Sequence, residues 1–228
     1  MTAEEWLNGH PHPQGMLWSL RGTKVTRTKA GRRKLRLFAC GCCRLIWDRL
    51  TDDRLRRAVE VAERLAEGQA GKEELGAALT GARPLTMGGL LPEHSGALER
   101  TAAAMAAYAA HGRPFEAAFG MTALPIPLAG YRAGKRDGEA ALRDLLRCVF
   151  GNPFRPVPLA PAWAAGNDRA AVRLAQAIYD ERAFERLPIL ADALEEAGCT
   201  DAGLLGHLRG PGPHVRGCWV LDLLLDKG

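Results

Sequence analysis

Residues 32–50 carry the apolar pattern that most strongly constrains the fold of this chain. Apolar side chains recur there at intervals of three and four residues, in two stripes that would lie side by side on a helix. The first stripe contains Leu35, Phe38, Ala39, Cys42, Leu45 and Ile46, and the second contains Leu37, Cys40, Cys43, Trp47 and Leu50. A helix that is apolar around most of its circumference has to be enclosed by other segments. The pattern therefore predicts a central helix over residues 32–50.

Most of the remaining chain also shows helical spacing. Amphipathic patterns cover residues 54–66, 139–150 and 187–197. We find neither the alternation that is typical of strands nor a repeat of fixed period. The sequence therefore predicts an all-α fold, an irregular multi-helix bundle.

Glycine and proline residues divide the chain into parts. They are frequent in residues 81–96 and 120–138, which we expect to be connections. Three prolines in residues 153–158 favour extended backbone there. We therefore expect an N-terminal helical subdomain over residues 1–151, which contains the cysteine-rich helix. A C-terminal helical subdomain over residues 152–228 is expected to pack with it as one unit.

The size of the chain allows it to fold around its own core. It has 228 residues and a hydrophobic content of 47%, so neither a disulfide nor a metal is required for folding. No apolar stretch approaches the roughly 20 residues that a membrane-spanning helix needs. Residues 1–7 are acidic and lack the basic start of a secretory signal. We therefore expect a cytoplasmic protein whose six cysteines are reduced.

Two pairs of side chains are candidate metal ligands. Cys40 and Cys43 are three residues apart, and His214 and Cys218 are four apart, so each pair would share one face of a helix. Zinc prefers four tetrahedral ligands of the thiolate and imidazole type. These four side chains therefore indicate a structural zinc site. Packing without any cofactor is the alternative and simpler interpretation, because cysteine is among the most buried residue types.

Positive charge is concentrated near the N-terminus. The net charge is +5, but residues 1–57 contain 13 Lys or Arg against 5 Asp or Glu. Within residues 21–36 there is no acidic residue, a pattern that favours contact with nucleic-acid phosphates. The candidate residues are Arg21, Lys24, Arg27, Lys29, Arg32 and Arg33. A solvated basic loop is the alternative, because no aromatic residues for base stacking alternate with these cations.

The sequence contains no familiar catalytic motif. We find no G-x-S-x-G turn, no H-E-x-x-H helix and no glycine-rich dinucleotide fingerprint. We therefore assign no catalytic residue and expect no enzyme.

Several segments together resemble a known group of proteins. They are Met1–Leu7, Arg36–Arg44, Phe150–Arg155, Leu187–Cys199 and Val215–Trp219. In these segments the chain resembles an uncharacterised family of short proteins from planctomycete bacteria. The resemblance implies a helical protein of the bacterial cytoplasm and implies no activity.

Three functions are compatible with these observations. The first is a non-enzymatic helical scaffold or protein-interaction module that binds a protein partner. The second is a nucleic-acid-associated protein that uses the basic residues 21–36. The third is a small structural zinc-binding protein. No membrane association is expected.

Overall fold

The computed structural model describes residues 1–9, 11–86, 97–124 and 138–227. The helices are α1 (Ala3–Asn8), α2 (Pro13–Gly22), α3 (Lys29–Leu45), α4 (Asp53–Ala66), α5 (Lys72–Thr86), α6 (Ala97–Ala109), α7 (Pro114–Ala123), α8 (Gly138–Phe150), α9 (Pro161–Glu181), α10 (Leu187–Glu196), α11 (Ala202–Arg209) and α12 (Trp219–Leu224). Short 3-10 turns occupy Val25–Arg27, Trp47–Arg49 and Phe184–Arg186. The described residues include no strand, so the all-α prediction is confirmed. None of the described helices combines the length and apolar content that crossing a membrane requires.

Helix α3 is the central helix that the apolar pattern predicts. Every residue from 35 to 43 is buried, and α3 packs against α4, α6, α7 and α8. Gly41 allows α8 to approach α3 closely, because a Cβ atom at this position would be only 3.2 Å from the Leu145 side chain. The sequence pattern thus identified the helix on which α4, α6, α7 and α8 assemble.

The ends of α3 differ from the predicted range of 32–50. The helix begins three residues earlier because Thr28 caps it, accepting a hydrogen bond from the Gly31 amide at 2.9 Å. It ends at Leu45, and the 3-10 turn Trp47–Arg49 continues the chain. The start of the helix is therefore determined by the capping threonine and not by the residue at which the apolar spacing begins.

Helices extend into both of the segments that were predicted to be connections, residues 81–96 and 120–138. Helix α5 extends to Thr86, and residues 87–96 of the first connection lie outside the described residues. Helix α7 extends into the second connection as far as Ala123, and residues 125–137 also lie outside the described part. Sequence analysis assigned no helix to 111–119, yet α7 begins at Pro114 and packs closely on α3.

One hydrophobic core extends from Trp6 in α1 to Leu224 in α12. Both predicted subdomains contribute residues to it, and the Trp6 indole donates a hydrogen bond of 2.6 Å to the Gly151 carbonyl at their boundary. The division at residues 151 and 152 stays a prediction, since a shared core neither requires nor excludes it.

A buried carboxylate joins three helical segments. Glu63 of α4 is only 3% exposed and accepts hydrogen bonds from Arg44 of α3, at 3.0 and 2.7 Å. Arg182, which follows α9, donates to the same carboxylate. Burial alone would raise the pKa of Glu63, but the two arginines outweigh that effect and lower it. The side chain is therefore a charged tie between α3, α4 and the end of α9.

Candidate metal centre

Two cysteines and two histidines meet at one end of the core. Cys148 lies in the last turn of α8, His207 in the last turn of α11, His214 in the segment that follows, and Cys218 at the N-cap of α12. One ligand atom from each of these residues lies within 4.8 Å of all the others. The group is of a composition that could hold a metal ion.

The chain between α11 and α12 reverses direction and brings His214 and Cys218 close to His207. Gly212 and Gly217 have φ values of +81° and +88°, which favour glycine strongly. At Gly217 a side chain would also be obstructed, because its Cβ would lie 2.9 Å from a methyl group of Leu37 in α3. Backbone turns that suit glycine therefore place His214 and Cys218 beside the end of α11.

Two of the distances within the cluster match those of a tetrahedral site. His207 Nε2 is 3.3 Å from Cys218 Sγ, and His214 Nδ1 is 3.8 Å from Cys148 Sγ. Ligand atoms around tetrahedral zinc are separated by about 3.3–3.8 Å, given bond lengths of about 2.0–2.3 Å. The two imidazole rings meet nearly edge to face, with centroids 4.9 Å apart and planes at 83°. Two sulfur and two nitrogen atoms thus lie within 4.8 Å of one another, a spacing from which they could converge on one ion.

The outer nitrogen of His214 has a partner that orients the ring. Its Nε2 lies 3.3 Å from the Gly210 carbonyl oxygen, which can accept a hydrogen bond but cannot donate one. A proton on Nε2 leaves the lone pair on Nδ1, which is the nitrogen that faces the cysteines. Metal-binding histidines are commonly oriented in this way by a backbone carbonyl.

The electrostatic environment favours a thiolate at Cys218. Burial would raise the pKa of Cys218, but hydrogen bonding with Cys148 and the proximity of His207 and His214 outweigh burial and hold that pKa well below its usual value. Burial raises the pKa of Cys148, and its hydrogen bond with Cys218 adds to the increase. For His214, burial would lower the pKa, but the hydrogen bond with Cys218 outweighs it and raises the pKa. Cys218 is therefore the ligand best prepared for a cation, and binding would also require Cys148 to lose its proton and His214 to be neutral.

The number of ligands indicates what a bound ion could do. Catalytic zinc sites usually keep one coordination position for water or substrate, whereas structural sites have four protein ligands. Cys148 and Cys218 are buried, and the two histidines are half-buried. Two thiolates would also neutralise a divalent cation, and burying a neutral site costs less free energy than burying a net charge. The arrangement therefore suits a structural ion.

The structure assembles only half of the ligand set that the sequence suggested. His214 and Cys218 belong to the cluster, although they lie on a turn and not on a helix face. Cys40 and Cys43 do not belong to it: the Cys40 sulfur faces the Val59 carbonyl of α4 at 3.8 Å. Both side chains are fully enclosed in the core, where burial raises their pKa well above the usual value. They pack α3 against its neighbours, as the alternative interpretation proposed.

Cys148 and His207 take the places of these two cysteines, and sequence analysis missed both. His207 could have been found from the local series His207, His214 and Cys218, which lies within a dozen residues. Cys148 gives no such signal, because only the packing of α8 on α12 brings it to the other three.

The basic residues of the N-terminal region separate into two groups. Arg33 points inward: its guanidinium donates to Asp222 at 2.7 Å, to the Tyr179 hydroxyl at 2.7 Å and to Glu67 at 2.9 Å. It is therefore part of an internal ion network and not a surface contact, contrary to its assignment as a nucleic-acid-binding residue. The other five candidates are exposed, namely Arg21, Lys24, Arg27, Lys29 and Arg32.

Comparison of the chain with protein-family models, with curated proteins and with solved structures finds no match.

Proposed function

We propose that this chain is a non-enzymatic helical protein that binds one structural zinc ion through Cys148, His207, His214 and Cys218. The observation that supports the proposal is the convergence of four ligand atoms within 4.8 Å of one another, from three separate parts of the fold. The proposal keeps the zinc of the sequence-based hypothesis and replaces half of its ligands.

Zinc fits this donor set better than other common metals do. Sites with two thiolates and two imidazoles in tetrahedral arrangement are typical of Zn²⁺. Calcium and magnesium require oxygen ligands, and none of the four side chains provides one. The thiols have to be reduced to bind the ion, which agrees with the expected cytoplasmic location.

The proposed role of the ion is to hold the C-terminal segment on the helical core. Cys148 belongs to α8, which packs on the central helix α3, whereas the other three ligands lie between α11 and the start of α12. An ion bound by all four would join these parts and stiffen the surface that they form. A rigid helical scaffold that binds a protein partner is the role we infer for the whole chain, because four protein ligands leave the ion no position for a substrate.

Metal analysis of the purified chain tests the proposal directly. We expect close to one zinc ion per chain after purification under reducing conditions, and a visible spectrum of tetrahedral cobalt with thiolate ligands after exchange with Co²⁺. Cys148→Ala and Cys218→Ala should abolish both signals. Cys43→Ala is the matched control, because it removes an equally buried thiol that lies outside the cluster.

Two results would contradict the proposal. One is reduced, folded protein without bound metal that also fails to take up Co²⁺. The other is loss of metal in Cys43→Ala together with full retention in Cys148→Ala, which would restore the ligand set suggested by the sequence.

A further inference from the structure

The surface formed by the end of α2 and the start of α3 carries positive charge that no described acidic side chain neutralises. No acidic residue occurs between Glu5 and Asp48. Within that interval five cations are exposed, and none forms an ion pair with a described residue. We call them the basic row: Arg21, Lys24, Arg27, Lys29 and Arg32.

Two members of the basic row oppose the stability of the helix that carries them. Lys29 is the first residue of α3 and Arg32 lies one turn later, and the first turn of this helix contains no acidic residue. The macrodipole of a helix disfavours positive charge at its N-terminus. The helix dipole thus disfavours the charge of Lys29 and Arg32, although the Arg32 guanidinium also donates a hydrogen bond to the Arg27 carbonyl, and an anionic partner would offset that cost.

An exposed aromatic shelf adjoins the basic row. Trp18 of α2 is 49% exposed, although tryptophan is usually well buried. Its ring meets the rings of Phe115 and Phe119 of α7 edge to face, at centroid distances of 5.9 and 5.8 Å. The guanidinium of Arg21, the first member of the basic row, lies 5.0 Å from the Trp18 ring. Two phenylalanines therefore hold an indole at the surface directly beside the cations.

We propose that this surface binds single-stranded nucleic acid, with a base stacked on Trp18 and the phosphates bound by the basic row. Proteins that bind single strands combine a cationic track for the backbone with aromatic side chains on which bases stack. The sequence alone lacked the aromatic component, and the structure supplies it from α2 and α7. Duplex binding would need the cations but not an exposed indole, so the observations favour a single strand. This proposal goes beyond the zinc-bound scaffold and does not depend on the metal.

Fluorescence anisotropy with labelled oligouridine and oligothymidine tests the proposal on the full chain. We expect binding at low salt to both probes, and a linear decrease of log affinity with log salt concentration. Arg27→Gln/Lys29→Gln should reduce the magnitude of that slope by about 1.4, since each phosphate contact on a single strand contributes about 0.7. Lys72→Gln/Arg155→Gln, which removes two exposed cations elsewhere, should leave the slope unchanged.

A second variant isolates the stacking contact. Trp18→Leu keeps an apolar side chain against the two phenylalanines but removes the ring, so affinity should decrease about tenfold at constant salt slope. Ile189→Ala is the control, because Ile189 is an exposed apolar residue on α10, far along the chain from the basic row. Thermal unfolding of each variant checks that it is folded.

Three outcomes would overturn the proposal. The first is no binding to either probe at low salt. The second is binding that Trp18→Leu leaves unchanged, which would reduce the contact to simple charge attraction. The third is equal competition by polyglutamate at matched charge, which would indicate an acidic protein partner in place of a nucleic acid.

Discussion

Zinc removal should lower the melting temperature of this protein by about 8–16 °C. An ion that binds the folded chain alone stabilises it by about 4 kcal/mol when free zinc is about 1,000 times Kd. In a chain of this size, about 1 kcal/mol changes Tm by about 2–4 °C. This value assumes that the unfolded chain binds zinc weakly. The assumption holds in part, because Cys148 is far in sequence from the other ligands and joins them only after folding.

Thermal melting followed by circular dichroism, in zinc-buffered solution and in excess chelator, measures this difference. Cys148→Ala should lose most of the chelator-dependent change in Tm, and its own Tm should resemble that of the chelated wild type. Cys199→Ala also removes a buried thiol but lies outside the cluster, so it should keep the full response to chelator. The reasoning is refuted if chelator leaves the wild-type Tm unchanged, or if the two variants respond equally.

Two further predictions concern the helical core. Stability from the lowered pKa of Glu63 is present above its ordinary pKa of 4.5 and is lost as the pH falls through the folded value. Glu63→Gln should therefore lower the free energy of unfolding at neutral pH by about 3 kcal/mol, because it leaves Arg44 and Arg182 without their carboxylate. Urea titrations should show a smaller difference in stability between the variant and the wild type at acidic pH than at neutral pH. A loss below about 1 kcal/mol at neutral pH would mean that this network behaves like a surface ion pair. At Gly31 a Cβ atom would overlap a backbone carbonyl oxygen, so Gly31→Ala should be strongly destabilising. Gly15 in α2 has open space around it, so Gly15→Ala should raise the free energy of unfolding by about 0.5–1 kcal/mol. Equal effects of the two substitutions in urea titrations would show that the close contact at Gly31 is absent.

The central helix could be predicted because its signal is local. Apolar side chains in residues 35–46 repeat at helical spacing, and no distant residue is needed to recognise the pattern. Helix α7 gave no comparable signal, because it is short and apolar on most sides and has no polar face to set the period. Its position is determined by packing on α3, which the sequence does not display.

The metal centre shows the same limit at the level of individual residues. His214 and Cys218 are close in sequence, and their spacing identified them as candidates, although for a helical geometry that the structure does not have. Cys148 has three possible roles in a sequence, as packing residue, ligand or free thiol, and nothing near it distinguishes them. The contact of α8 with α12 decides between these roles, and such contacts between distant segments are absent from local patterns.

The positions of the four ligands enclose α9, α10 and most of α11 in a closed loop of chain, since the first ligand precedes these helices and the others follow or end them. A bound ion would fasten both ends of that loop, which reduces the conformational freedom of the opened loop and so makes its separation from the core less favourable. Amide hydrogens throughout the loop should then exchange with deuterium in concert, and slowly, while the ion is present. A zinc ion would in this way oppose the opening of α9 and α10, which carry none of its ligands.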